Sequence, residues 1–370
     1  MRISFALAAV ALSTGALAED IVIGQSLPLS GPSAAIAREL QRGREACVQL
    51  VNAQGGIRGK TFKLLTRDDG GEPAKAVEAA RELVQREGAV ALFGSMGPGV
   101  NSALLQWAGG AGAAVIGPYG GDIEVRNQDS GSAFFLTANQ SAEAERLASH
   151  VSSLGLSRVV IVHAQDRAGA ATLTALEEGL GVSNVAPVAI VAVRGDGSDA
   201  SEAVQGVAAA KAQAVLLATS GRTTIAVLKA LATSERGSLP LLQVYGLSSA
   251  ASPTELLELK NLARGFSMTQ VLPLPRDARV PLVATFLAAM RNAPGDRTYA
   301  ELEGCVAPLL LAEVLRRKPA EPTRATVLQA LRAAAKVNLG GFEIDLGDRT
   351  RPGSRFTDIV FVGSDGRLLR

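Results

Sequence analysis

The sequence is poor in the side chains that build metal centres and stacking surfaces. It has two cysteines and two histidines in 370 residues, too few for the usual zinc or iron–sulfur sites. Aromatic residues make up 4% of the chain, which argues against a large stacked ligand. The 37 Lys and Arg residues nearly balance the 35 Asp and Glu residues, so no basic field favours a nucleic acid partner. We therefore expect neither a cofactor nor a nucleic acid.

Long hydrophobic runs are also missing. No stretch reaches the roughly 18 consecutive apolar residues that a membrane-spanning helix needs. The N-terminus instead combines Arg2, an apolar run over residues 3–12 and the small-residue sequence Ala16-Leu17-Ala18. These are the three parts of a secretory signal. We expect cleavage after Ala18, which removes residues 1–18 and places the mature chain in the periplasm.

Export changes the interpretation of the two cysteines. Cys47 and Cys305 lie far apart in the sequence, each within a helical pattern. An even number of cysteines in an exported protein favours a disulfide between them. The alternative is two separate buried thiols that pack as small apolar residues. The sequence leaves both possibilities open.

Short apolar runs alternate with amphipathic segments along most of the chain. This alternation predicts parallel sheets that are covered by helices on both faces. The rhythm restarts after Asn139, so we expect two doubly wound units with a ligand cleft between them. Three C-terminal helices are expected to return to the first unit. The predicted strands are residues 21–26, 61–66, 89–93 and 113–116, then 159–162, 188–192, 215–218 and 241–245.

Catalytic motifs are incomplete. The segment ending in Gly59-Lys60-Thr61 nearly matches a phosphate-binding loop, but a strand follows it where that loop needs a helix. His163 stands at the carboxyl end of a predicted strand near Asp166, with no activated nucleophile beside it. The sequence therefore predicts a protein that is not an enzyme.

Several segments together resemble the periplasmic solute-binding proteins of ABC importers, in the branched-chain amino acid (leucine/isoleucine/valine-binding) family. Their order and spacing carry the resemblance, which spans nearly all of the mature chain. The segments are Ile21-Val22-Ile23-Gly24-Gln25-Ser26, Asn52-Ala53-Gln54-Gly55-Gly56-Ile57, Asp68-Asp69, Ala91-Leu92-Phe93-Gly94, Ile116-Gly117-Pro118, Leu302-Glu303-Gly304 and Leu339-Gly340-Gly341-Phe342.

The resemblance implies a type I periplasmic-binding fold, with two doubly wound parallel-sheet lobes joined by a three-crossover hinge. Lobe one is expected to hold residues 19–138 and 271–338, and lobe two residues 139–270 and 339–370. The three crossings are expected near residues 137–140, 269–272 and 338–341. A ligand bound between the lobes would close them about this hinge.

The resemblance also implies which loops touch the ligand. From lobe one it predicts Ser95, Met96, Gly97, Pro98, Gly99, Tyr119, Gly120 and Gly121, and from lobe two Ala168, Ser220 and Tyr245. We add Arg167 and Arg222 as candidate contacts because they follow lobe-two strands. Gly99, Gly121 and Ala168 stand where the family carries Ser, Thr and Tyr, so the usual clamp for an α-amino acid is largely missing. We expect the amides near Asn101, at a helix start, to hold an anionic end of the ligand. A Gly99→Val change should then block binding.

Two arginines have two possible roles, so the sequence does not decide whether the ligand carries a negative charge. Arg167 and Arg222 follow lobe-two strands and could meet a carboxylate, or could be solvated loop charges. The expected ligand is an amino acid, an amide or a small organic carboxylate. The expected function is capture of this ligand by a monomer and its delivery to the permease subunits of an ABC transporter. A binding module of a periplasmic sensor is the alternative, since one fold serves both; a secreted enzyme comes third.

Overall fold

The computed structural model describes residues 20–128, 131–234, 242–318, 320–347 and 352–370. The expected export signal, residues 1–18, lies outside these ranges. Within them, every helix is too short or too polar to cross a lipid bilayer.

The first sheet has five parallel strands with helices on both faces. Its elements are β1 (Ile21–Leu27), α1 (Ala34–Ala53), β2 (Phe62–Asp68), α2 (Pro73–Gln85), β3 (Ala91–Phe93), α3 (Pro98–Ala111), β4 (Ala114–Ile116), α4 (Ile123–Arg126) and β5 (Ala133–Phe134). The strand order is β2-β1-β3-β4-β5. The order reverses at β1, which creates the crevice where doubly wound sheets bind ligands.

The second sheet has seven strands. Its first elements are α5 (Gln140–Ser153), β6 (Val159–Ala164), α6 (Arg167–Val182), β7 (Ala189–Val193), α7 (Ala200–Ala209), β8 (Ala214–Ala218), α8 (Gly221–Thr233), β9 (Gln243–Gly246), α9 (Pro253–Leu259), a 3-10 turn (Lys260–Ala263) and β10 (Ser267–Gln270). These five strands are parallel. The predicted pair of doubly wound units is thereby confirmed.

The C-terminal part contributes to both units. It contains α10 (Pro281–Ala289), α11 (Tyr299–Arg316), α12 (Arg324–Ala333), β11 (Lys336–Asn338), β12 (Glu343–Asp345), β13 (Asp358–Val362) and β14 (Leu368–Leu369). The three helices share the hydrophobic core of the first sheet. The last two strands join the second sheet antiparallel, giving the order β14-β13-β10-β9-β8-β6-β7. We call the first sheet with α1–α4, α10–α12, β11 and β12 lobe one, and the remainder lobe two.

The chain crosses between the lobes three times. The first crossing joins β5 to α5, and the second joins β10 to α10. The third differs from the expected position at residues 338–341. Phe342, Ile344 and Leu346 are buried in the core of lobe one, so the chain leaves lobe one only between Leu346 and β13. The expectation placed the crossing at the Gly340-Gly341 turn, but that turn only connects β11 to β12.

Helices α1 and α11 touch backbone to backbone in lobe one. A Cβ atom on Gly43 would lie 1.8 Å from the carbonyl oxygen of Glu301, and one on Gly304 would lie 2.2 Å from that of Leu40. Only glycine fits at both positions, because a Cβ needs more than about 3 Å. A disulfide between Cys47 and Cys305 joins the same two helices, so the structure forms the bridge that the sequence left open.

Candidate functional site

A cleft of about 740 Å³ lies between the two lobes. Loops that follow β3 and β4 line it from lobe one, and loops that follow β6, β8 and β9 line it from lobe two. Ligands bind at such places because helix N-termini and loop side chains meet at the carboxyl ends of parallel strands. Segments of the first two crossings, including Thr137 and Leu272, line its hinge side.

Most of the loop residues predicted from the sequence line this cleft. They are Met96, Gly97, Pro98, Tyr119, Gly120, Gly121, Ala168 and Ser220. The two lobe-one loops are held together: the Tyr119 amide donates to the Ser95 carbonyl oxygen at 2.9 Å, beside a bridge between Met96 and Tyr119. The main chain therefore fixes this wall of the cleft before any ligand arrives.

Ser95 and Gly99 do not line the cleft. Helix α3 begins at Pro98, three residues earlier than the predicted start at Asn101, because proline suits the first helical turn. Ser95 is fully buried and donates to the Asn101 side-chain oxygen at 2.6 Å, so it shapes the loop from behind. A Cβ on Gly99 would meet Pro73 at 3.6 Å. The predicted block of binding by Gly99→Val is therefore not supported.

The two arginines also lie away from the lining. The Arg167 side chain is 85% exposed and forms an ion pair with Glu124 of α4, so it links the two lobes at the rim. Asp166 caps α6 by accepting from the Gly169 amide at 2.7 Å, which places Arg167 in the exposed first turn. Arg222 is exposed in the first turn of α8. Neither guanidinium is placed to receive a carboxylate inside the cleft.

Tyr245 is likewise buried in lobe two. It lies in β9 with 2% of its surface exposed and meets the His150 ring edge to face at 5.7 Å. Side chains of a strand alternate between the two faces of the sheet, and this tyrosine packs against the core that contains α5. The cleft lies at the end of the strand, and Tyr245 is not part of its lining, contrary to the expectation.

The loop-based prediction missed the carboxylates of the cleft. Glu39 of α1, Glu143 of α5 and Glu303 of α11 line it, together with Asp122 and Glu255. Within the lining that the structure describes, there is no Lys, Arg or His. One sequence signal could have found Glu303, because it is the one charged residue within the buried stretch Leu302–Leu311.

Glu143 is fully partnered in lobe two. Its carboxylate accepts from the Thr269 hydroxyl at 2.6 Å, from the Ser248 amide at 2.8 Å and from the Ser248 hydroxyl at 3.0 Å. Burial raises the pKa of this carboxyl above its ordinary value, against the effect of these donors. The contacts tie α5 to β10 and to the loop after β9, so Glu143 fixes the lobe-two wall.

Glu303 has no hydrogen bond or ion pair among the described residues. Burial raises the pKa of its carboxyl to about 7, while Arg126 and Arg44 oppose that rise from a distance. The terminal guanidinium nitrogens of both arginines donate to other groups, while the Nε of each is buried without a hydrogen-bond partner among the described residues. Arg44 donates to Gln25 at 2.9 Å and to the Gly94 carbonyl oxygen at 2.7 Å, and Arg126 donates to carbonyl oxygens of the hinge, including that of Thr137 at 2.8 Å.

The described residues contain no cluster of three or more metal-ligating side chains. Within the same lining, no Cys or His accompanies the serine and threonine hydroxyls, so these hydroxyls have no imidazole base beside them. The arrangement is suited to holding a small molecule by hydrogen bonds and charge.

Comparison with known proteins agrees with this geometry. The model of the periplasmic binding protein family matches residues 20–367. The Leu/Ile/Val-binding protein homolog 3 of Brucella melitensis is 41% identical over 81 residues, which are 22% of this chain and 22% of that protein. The chain thus matches about a fifth of the length of this curated relative.

Two solved structures are similar over most of their length. An extracellular ligand-binding receptor from Verminephrobacter eiseniae has a TM-score of 0.82 at 25% identity, covering 95% of this chain and 100% of that chain. A substrate-binding periplasmic protein from Ralstonia solanacearum has a TM-score of 0.80 at 27% identity, covering 95% and 99%.

Proposed function

The chain belongs to the periplasmic binding protein family, and we propose that it captures a small polar metabolite between its lobes for delivery to the permease subunits of an ABC transporter. The observation that carries this proposal is the cleft of about 740 Å³, which both sheets line with their strand-end loops. Three chain crossings connect the lobes, and such a connection allows hinge closure around a ligand.

The cleft supports a ligand with hydrogen-bonding groups. Helices α3 and α8 begin at the cleft, and neither has a side-chain cap on its first amides. Uncapped helix N-termini attract anionic or carbonyl oxygens. Because the lining holds carboxylates and no basic side chain, an amino acid or an amide fits it better than a carboxylate without an amine.

An extracytoplasmic location agrees with the disulfide between Cys47 and Cys305, since such bonds persist in oxidising compartments. Under this proposal the chain acts without a cofactor, as a monomer and not as an enzyme. The alternative is a ligand-binding module for a periplasmic sensor. It would use the same cleft and differ only in the membrane partner.

A thermal-shift screen of the chain from residue 19 onward tests capture. The library should contain amino acids, amides and small carboxylates. A binder at about one hundred times its dissociation constant stabilises the folded state by about 2.7 kcal/mol, which gives a clear shift. Stabilisation by none of the three classes, and by no small amine added to the library, would contradict capture. Co-purification of the liganded protein with its permease, rather than with a sensor kinase, then separates the two physiological roles.

A further inference from the structure

We propose that the captured solute carries a protonated nitrogen, and that the carboxylate of Glu303 receives this group inside the cleft. The inference rests on the proposed capture function and names the chemical class of its substrate. Amines, guanidines and amino acids belong to this class, whereas acids and amides without a cationic group do not.

The first support is the charge of the lining. Five carboxylates face the cleft, and the described lining has no cationic side chain. Three of the five are engaged locally: Asp122 accepts from the Val125 amide at 3.0 Å, Glu255 accepts from the Ser252 amide at 2.8 Å, and Glu143 has the partners given above. The remaining two belong to lobe one: Glu39 accepts a hydrogen bond from the Thr298 side chain, whereas Glu303 has no partner among the described residues.

The second support is the isolation of Glu303. Its neighbours Leu302 and Gly304 are buried, and Gly304 lies against the backbone of α1, so the carboxylate faces the cleft instead of bulk solvent. Glu303 is half-buried, and a carboxylate that is partly withdrawn from water without a partner is stabilised when a cation binds beside it. We therefore expect the ligand to supply the positive charge that pairs with the Glu303 carboxylate.

The surroundings of Glu303 fit a cation with an apolar body. Tyr119 and Tyr299 line the same space, and the Tyr299 hydroxyl is buried without a hydrogen-bond partner. Glu39 and Glu303 line the same cleft as Tyr119. Aromatic faces attract ammonium and guanidinium groups, so a tyrosine in this lining suits a cationic ligand.

The expected affinity depends on pH. The charged and titratable groups that interact with Glu303 are Arg44 of α1, Arg126 of α4, Glu143 of α5 and Tyr119 of the loop after β4. With a pKa of about 7, Glu303 is largely protonated at pH 6 and ionised at pH 8. A bound cation requires the ionised form, so affinity should rise between these values, and binding near pH 7 should release a proton to the buffer.

Calorimetric titration with a fixed panel tests the inference. The cationic probes are agmatine, putrescine and L-lysine, and L-leucine is the zwitterionic probe. Two further probes each lack one charged group of leucine: 4-methylpentanoate lacks the amine, and 3-methylbutylamine lacks the carboxylate. Succinate and isobutyramide represent acids and amides without a cationic group. We expect binding only among probes with a protonated nitrogen. Glu303→Gln should weaken that binding at least tenfold and abolish its pH dependence, whereas Glu78→Gln, on the exposed face of α2, should change neither.

Three results would overturn the inference. Binding of 4-methylpentanoate or succinate without any cationic or zwitterionic probe would contradict the substrate class and leave capture intact. Unchanged amine affinity in Glu303→Gln, with a circular dichroism spectrum like that of the parent, would contradict the assigned residue. Binding of no probe would count against both this inference and capture. Glu39→Gln tests the other lobe-one carboxylate. We expect it to lower the affinity for cationic probes less than Glu303→Gln does, because Glu39 already has Thr298 as a partner.

Discussion

The two lobes share one architecture and treat their polar groups differently. In lobe two, Glu143 lies deep in the wall and is satisfied by Thr269 and Ser248. In lobe one, Glu303 faces the same cleft from α11 and has no partner in the part of the chain that the structure describes. The difference shows that the same fold can line a cleft with a carboxylate that is already hydrogen-bonded and with one that is not. We expect a ligand to bind first to lobe one, where Glu303 has no partner, after which lobe two closes over it.

The lobes also differ in how they are stabilised. Lobe one is fastened by the disulfide between α1 and α11, with a sequence separation of 258 residues. Lobe two contains neither cysteine of the chain and depends on its two apolar cores on either side of the sheet. Four experiments sharpen this comparison.

The largest effect is expected from removing the disulfide. Closing so long a loop stabilises the folded state by about 5 kcal/mol in the chain-entropy account, and its loss should weaken lobe one far more than lobe two. Urea unfolding with and without reductant measures this, with hydrogen exchange reporting each lobe. The Cys47→Ala/Cys305→Ala variant is the control, because reductant should not affect it. Equal loss of protection in both lobes would contradict the comparison.

A smaller loss is expected from Glu143→Leu. The change leaves the Ser248 amide and the Thr269 hydroxyl buried without an acceptor, which should cost about 3 kcal/mol. Chemical denaturation measures this cost, and Glu145→Leu on the exposed face of the same helix is the matched control. A cost equal to that of the control would mean that the lobe-two wall does not depend on this carboxylate.

Glu303→Gln should raise the free energy of unfolding, whereas the two changes above should lower it. The pKa of this carboxyl is raised from 4.5 to about 7 in the folded state, so ionisation opposes folding as pH rises through that interval. The variant should gain about 1 to 3 kcal/mol of stability at pH 8, and the gain should vanish toward pH 4.5. Thermal unfolding at several pH values checks this. A loss of stability at pH 8 would show that Glu303 has a partner.

The smallest effect concerns the ion pair between Arg167 and Glu124 at the rim. Both side chains are exposed, so Arg167→Ala should cost less than about 1 kcal/mol in low salt and nothing measurable at high salt. Denaturation at two salt concentrations is the measurement. A large, salt-independent loss would mean that this contact holds the lobes together.

The sequence predicted the fold better than the site. Parallel strands that are buried on both faces appear as continuous apolar runs, and Val159–Ala164 is one of them. The family resemblance is confirmed by the match over residues 20–367. Cleft loops such as Met96–Pro98 were predictable because they follow such strands.

Side-chain direction was not predictable in the same way. Tyr245 points into the core and Arg167 to the rim, although both stand near strand ends. Which way each points depends on the face of the strand or the turn of the helix, and an error of one residue reverses it. Glu303 lies on α11, which packs against α1 through Gly43 and Gly304, and local patterns do not encode this packing.

Closure of the two lobes around a solute is the central claim, and small-angle scattering tests it most directly. The chain from residue 19 onward would be measured alone and with a saturating amount of the tightest-binding probe in the panel. We predict a smaller radius of gyration with the probe, and we expect Glu303→Gln to need at least a tenfold higher probe concentration for the same decrease. An unchanged radius of gyration in the parent protein, with binding established by calorimetry, would contradict capture by hinge closure.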